Sequence, residues 1–149
     1  MYARLLAAID REDEQGTRLI ASRCAALANT MGASVSLIHV RLQPPASYGR
    51  HLPWQWEADE AKEVRGWLQE LARTHAFEDR LSGTFAPSGS VSREVAARAR
   101  ELGSDVIMVA AHRATLGRIL LGSTAHAIMR DAPCDVLLVR DSEALQAAA

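Results

Sequence analysis

The stretch AHRATLGRILLGSTAHA, Ala111 to Ala127, ends in Gly122-Ser123-Thr124, a small turn with two hydroxyls just ahead of a helical pattern. A helix start of that kind offers backbone N–H groups and the positive end of a helix dipole, which suits a phosphate. The plainer reading is that Ser123 or Thr124 only caps the helix. The front half carries His112, Arg113 and Arg118 where a phosphate cradle usually has glycine, and GxxxxGK[ST] is absent. His112 suits contact with phosphate, acid–base work or a cap on the preceding strand. Arg113 and Arg118 either add positive charge beside the phosphates or are solvated surface arginines.

Carboxylates supply the second set. Asp10 ends an apolar run and begins an acidic cluster with Glu12, Asp13 and Glu14. For Glu12, Asp13 and Glu14 the expected work is capping the next helix and favouring its dipole. Asp10 has two uses open: the same cap, or acceptance of a hydrogen bond from a ribose hydroxyl or a base amino group. No serine–histidine–carboxylate or cysteine–histidine set can be assembled by spacing. His39 reads as a satisfied core histidine, and His51, His75 and His126 lack metal-ligand spacing. An enzyme is therefore the weaker class, at most a slow ATPase or a protein phosphorylated at Ser123 or Thr124.

These residues need a scaffold, and the pattern alternates strand and helix. Strands are expected at Ala3–Ile9, Ser34–Val40, 81–87, 105–110 and 134–140. Helices are expected at Glu14–Met31, with Ile20, Cys24, Leu27 and Met31 on one face, and at Glu57–Ala76, with Ala61, Val64, Leu68 and Leu71. A third, capped by Ser90, carries Val91, Val95, Ala99 and Leu102, and a fourth spans Thr124–Arg130. Gly32 and Gly103 close the first and third helices. The segment RLQPPASYGRHLPWQW reads as an irregular loop, with Trp54 and Trp56 either a lid on a base or a plug in the core or an interface. Such alternation implies right-handed crossovers and an α/β fold of three layers around a parallel sheet. One domain is expected over 1–141, with a flexible tail at 142–149.

Composition narrows the function classes. The chain has 149 residues, a formal net charge of -1 and a pI near 6.5, which argues against nucleic-acid or anionic-membrane partners. No apolar stretch approaches the roughly 20 residues that span a bilayer, and the N-terminus does not read as a signal peptide. Cys24 and Cys134 read as small buried hydrophobes in a reduced compartment, so a cytoplasmic location is expected.

In an open parallel sheet, ligands sit beyond the carboxyl ends of strands where the strand order reverses. Periodicity does not choose the order. With strand 1 central beside strand 4, as in 3-2-1-4-5, the crevice opens between Ile9-Asp10 and Ala110-Ala111-His112.

From Leu5 to Arg140 the chain resembles a single-domain universal stress protein. The resemblance rests on LLAAID, on SLIHV and above all on DVIMVAAHR…LLGSTAHAIMRDAPCDVLLVR, with the Gly89-Ser90-Val91 helix start in support. It implies the order 3-2-1-4-5 and a homodimer through the fifth strand, CDVLLVR, an edge that subunits could exchange. It implies ATP or another adenine nucleotide as ligand, with Mg2+ as a companion ion, and a regulatory role in stress response with an unidentified protein partner. Asp10 then meets ribose or adenine beside the backbone of Ala8 and Ile9, and Val40 lies near adenine. The family's phosphate motif is Gly, two residues, Gly, nine residues, then Gly-Ser/Thr. Its end maps onto Gly122 and Ser123, with Thr124 next. Its front departs, since Ala110 and Arg113 replace the two glycines and only eight residues separate Arg113 from Gly122. An altered but working phosphate loop is the reading that follows. The alternative is a dimeric interaction module of the same fold that binds no nucleotide, favoured by the missing glycines and opposed by Asp10 and Gly122-Ser123.

Overall fold

Alternate side chains along each strand go to opposite faces, and this sorts the apolar residues into two cores. The computed structural model of the chain describes residues 1–111 and 122–141. Strands β1 (Arg4–Ala8), β2 (Ser34–Ile38), β3 (Leu81–Phe85), β4 (Val106–Ala110) and β5 (Asp135–Val139) form one sheet in the order β3-β2-β1-β4-β5. Every neighbouring pair is parallel, with Ala8 opposite Ile38 and Ala7 opposite Met108. Leu5, Ala7, Val35, Leu37, Val106 and Met108 face one core, whereas Leu6, Ile38, Ile107 and Val109 face the other. A central parallel strand needs apolar residues on both faces, which is why these runs are continuous rather than alternating.

Helices α1 (Glu14–Met31) and α3 (Trp56–Thr74) cover the first face, and α4 (Val91–Leu102) and α5 (Ser123–Asp131) the second. On α1, Ile20, Cys24 and Ala28 are buried, as are Ala61, Val64, Leu68 and Ala72 on α3. Met31, expected on the buried stripe, is 39% exposed. Gly32 and Gly103 close α1 and α4 in the left-handed conformation, at φ of 67° and 60°, where a side chain would be strained. Ser90 stands before α4, yet its hydroxyl makes no capping bond. That helix starts on backbone alone, with Ser90 O accepting from Glu94 N–H at 2.9 Å.

The segment expected as irregular contains a short helix, α2 (Ala46–Gly49), and its start is fastened by Arg41. The Arg41 side chain is buried. Its Nε donates to Ala86 O at 2.7 Å and its Nη1 to Glu60 Oε2 at 3.0 Å, joining the end of β2 to β3 and α3. Neither cysteine forms a disulfide. Cys24 is fully buried, and burial pushes its thiol up to about 12, so it packs as a hydrophobe 3.7 Å from Met108 Sδ. Cys134 is only half-buried.

Candidate functional site

At β1 the chain leaves toward β2 on one side and β4 lies on the other, so the crossovers diverge and a crevice opens at the carboxyl ends of these two strands. A cavity of about 230 Å³ occupies that place. It is lined by Ala8, Ile9 and Asp10 from the end of β1, Ala110 from β4, and Gly122, Ser123 and Thr124 at the start of α5. Residues more than 100 positions apart thus share one wall. Val40 is buried in the second core and does not line the cavity. His112, Arg113 and Arg118 lie outside the described residues, as does the tail at 142–149.

The loop between β1 and α1 divides the acidic residues by role. Asp13, not Asp10, caps α1: its Oδ1 accepts from Gly16 N–H at 2.9 Å. Asp10 is exposed, its Oδ1 accepts from Glu12 N–H at 3.0 Å, and its main-chain oxygen accepts from Thr17 Oγ1 at 2.9 Å. Asp10 Oδ2 makes no hydrogen bond among the described residues. The turn therefore holds this carboxyl at the mouth of the crevice with acceptor capacity to spare.

The start of α5 is arranged differently from a side-chain cap. Gly122 takes the cap position, no side chain caps the helix, and Ser123 and Thr124 are exposed as its first residues. The expectation that one of these hydroxyls caps α5 is corrected here. The cap position has no hydroxyl, so first-turn N–H groups and both hydroxyls border the cavity together. Such groups bind anions well.

Asp13 at the cap of α1, Gly16 and Thr17 in its first turn and Val91 of α4 also line the crevice and were missed in the sequence. Gly16 was the legible signal, because glycine inside a helix costs about 1 kcal/mol relative to alanine and calls for a reason. A Cβ there would lie 3.1 Å from Ala110 Cβ and 2.2 Å from Asp13 Oδ2.

The tryptophans go elsewhere. Trp54 is 90% exposed, so it is no core plug, and neither Trp54 nor Trp56 lines the crevice. Both border a separate cavity of about 340 Å³ with Arg41, Pro44 and Pro53. His39, expected as a satisfied core histidine, is half-buried rather than in the core, and its Nδ1 lies 2.9 Å from Ile9 O. Among the described residues no group of three His, Cys, Asp or Glu side chains could hold a metal ion. None of the described helices is long and apolar enough to cross a membrane.

The profile of the universal stress protein family matches residues 1–140. The chain belongs to this family. The universal stress protein A homolog 1 of Coxiella burnetii is 32% identical over 142 residues, covering 93% of this chain and 96% of that protein. Among solved structures, a universal stress protein in complex with cAMP superposes with a TM-score of 0.64 at 17% identity, covering 93% and 97% of the two chains. A universal stress protein from Archaeoglobus fulgidus in complex with dAMP gives 0.64 at 17%, covering 93% and 98%. At such identity the universal stress protein structures share the fold with this chain.

Proposed function

We propose that the crevice binds an adenine nucleotide, ATP in the first place, and that the chain serves stress response as a cytoplasmic homodimer whose surface changes with occupancy. The observation that carries this reading is the meeting of Asp10 with the Gly122-Ser123-Thr124 helix start in one cavity at the sheet's switch point. Asp10 accepts from a ribose hydroxyl or base amino group, and the α5 turn receives phosphate through N–H groups and hydroxyls. The two relatives in complex with cAMP and dAMP support an adenine ligand in this fold. Val40, as the strand-2 residue nearest the base, and His112 and Arg113, beside the phosphates, complete the assignment. Mg2+ enters as the ion that ATP carries, with the phosphates as its main ligands.

Ala110 in place of glycine favours the second reading, an interaction module that holds no nucleotide. One experiment separates the two. The purified protein is denatured, the supernatant is resolved for adenine nucleotides, and calorimetry with added ATP is run beside it. Saturable binding is expected, weakened about tenfold or more in Asp10→Ala through loss of a charge-assisted hydrogen bond. An empty protein that ignores ATP and AMP supports the module instead.

A further inference from the structure

The segment between β2 and α3 has no part in the crevice, yet it gathers exposed apolar surface. Six large apolar side chains are exposed among the described residues, and three of them, Leu42, Tyr48 and Trp54, fall between positions 42 and 54. Apolar groups clustered in water on a folded chain mark a surface that another molecule covers. Leu42 and Trp54 border the cavity of about 340 Å³, with Arg41, Pro44, Pro53, Trp56 and Glu57. Its wall is therefore rich in flat rings, two indoles and two pyrrolidines. None of these residues lines the crevice, so the two sites are separate.

The polar groups beside these rings are unevenly used. Arg41 is buried, with Nε donating to Ala86 O and Nη1 to Glu60 Oε2. Its Nη2 lies 3.6 Å from Glu57 Oε1 and makes no hydrogen bond among the described residues. None of the described buried side-chain nitrogens or oxygens lacks a partner, so Nη2 reaches the open space of the cavity with donors to spare. Glu57 is 68% exposed; its Oε1 accepts from Ser88 Oγ at 3.2 Å, and its Oε2 makes no hydrogen bond among the described residues. These groups select a ligand. An anion at Arg41 would lie beside Glu57 and Glu60, so the acceptor that fits is neutral, as a peptide carbonyl is. Glu57 and the exposed Asp59, both in the first turn of α3, favour a cation nearby. Flat aromatic walls suit proline rings, and an extended polyproline helix leaves every carbonyl without an internal hydrogen bond.

We propose that this second cavity is a docking site for a proline-rich segment of a partner protein that carries an arginine or lysine. Proline rings lie against Trp54, a main-chain carbonyl of the segment accepts from Arg41 Nη2, and the basic side chain meets Glu57. The site stands apart from the crevice, so it holds whether or not the crevice binds a nucleotide.

The probe is a blocked, dye-labelled peptide, Pro-Pro-Ala-Pro-Pro-Arg, with two controls, one with Glu for Arg and one with Ala for every Pro. Fluorescence anisotropy against the whole chain is expected to saturate below about 1 mM with the arginine peptide and to show weaker binding of both controls. Trp54→Ala removes an exposed ring that the core does not use, and it should weaken the arginine peptide about tenfold. Glu57→Gln keeps the shape and an acceptor for Ser88. It should weaken the arginine peptide about threefold, the scale of one exposed ion pair, and bring it level with the glutamate peptide. Circular dichroism confirms that both variants fold. A wild type that does not saturate by about 1 mM, equal affinity for all three peptides, or an unchanged affinity in Trp54→Ala would overturn the proposal. A Trp54→Ala protein that sediments as a smaller assembly than wild type would also overturn it, and would give the surface to a second copy of this chain.

Discussion

Gly16 and Ala110 face each other across the crevice, and their sizes are matched. The family pattern puts glycine where this chain has Ala110, and here the opposite wall is the glycine. A methyl at position 16 would press on Ala110 Cβ at 3.1 Å and displace the Asp13 carboxylate that caps α1. Helix propensity favours Gly16→Ala by up to about 1 kcal/mol, whereas crowding costs about 1–3 kcal/mol and loss of the cap about 1 kcal/mol. The cost wins. Gly16→Ala should lower stability by about 1–2 kcal/mol, read as a lower Tm, and adding Ala110→Gly should recover the part due to crowding alone. A double mutant no more stable than Gly16→Ala would show that the two walls do not press on each other.

Among the elements, the amino end of the sheet is clamped by one carboxylate. Asp105, just before β4, accepts through Oδ2 from Ala3 N–H and Arg4 N–H, both at 2.7 Å, and its own N–H donates to Arg4 O at 2.9 Å. The two N–H groups, Ala3 first, hold the Asp105 carboxyl below its ordinary value of 3.8 despite some desolvation. A lowered folded-state value means that the ionised carboxylate adds stability above pH 3.8, and that this is lost as pH falls through the lowered value. Asp105→Asn should therefore be the less stable protein near neutrality and approach wild type in strong acid. Urea midpoints across pH for both proteins test this, and two parallel curves would show that ionisation of Asp105 has no part in the clamp.

For the whole molecule the open question is what covers β5. Among the described residues this strand pairs with β4 on one side only, and Val136, Leu137 and Leu138 are half-buried, whereas the central strands are closed on both faces. Edges of this kind invite pairing with another chain, and here a second copy is the proposed partner. Sedimentation should find a dimer that Leu138→Glu converts to monomer. Leu138 also packs against the second core, so circular dichroism must show that the helices persist. A wild type that sediments as a monomer at micromolar concentration would remove the β5 seam.

Local pattern determined much of this protein by itself. Continuous apolar runs require strands buried on both faces, apolar residues at helical spacing require helices, and Gly32 and Gly103 terminate helices because a left-handed residue is cheap only for glycine. The ends of β1 and β4 and the start of α5 were legible as the lining of a crevice for the same reason: they sit where elements begin or stop. Tertiary structure alone decided the rest. Periodicity tells a strand which residues face each core but not which strand lies beside it, so the order β3-β2-β1-β4-β5 comes from packing over long sequence separation, with the family resemblance as its only forerunner. Which acid caps α1 depends on the path of the loop, and Asp13 prevails over Asp10 because its carboxylate reaches Gly16 N–H. Trp54 stays outside the core although its ring is apolar, which composition alone does not foretell. The contact of His39 Nδ1 with Ile9 O joins residues 30 positions apart, and no local spacing encodes it.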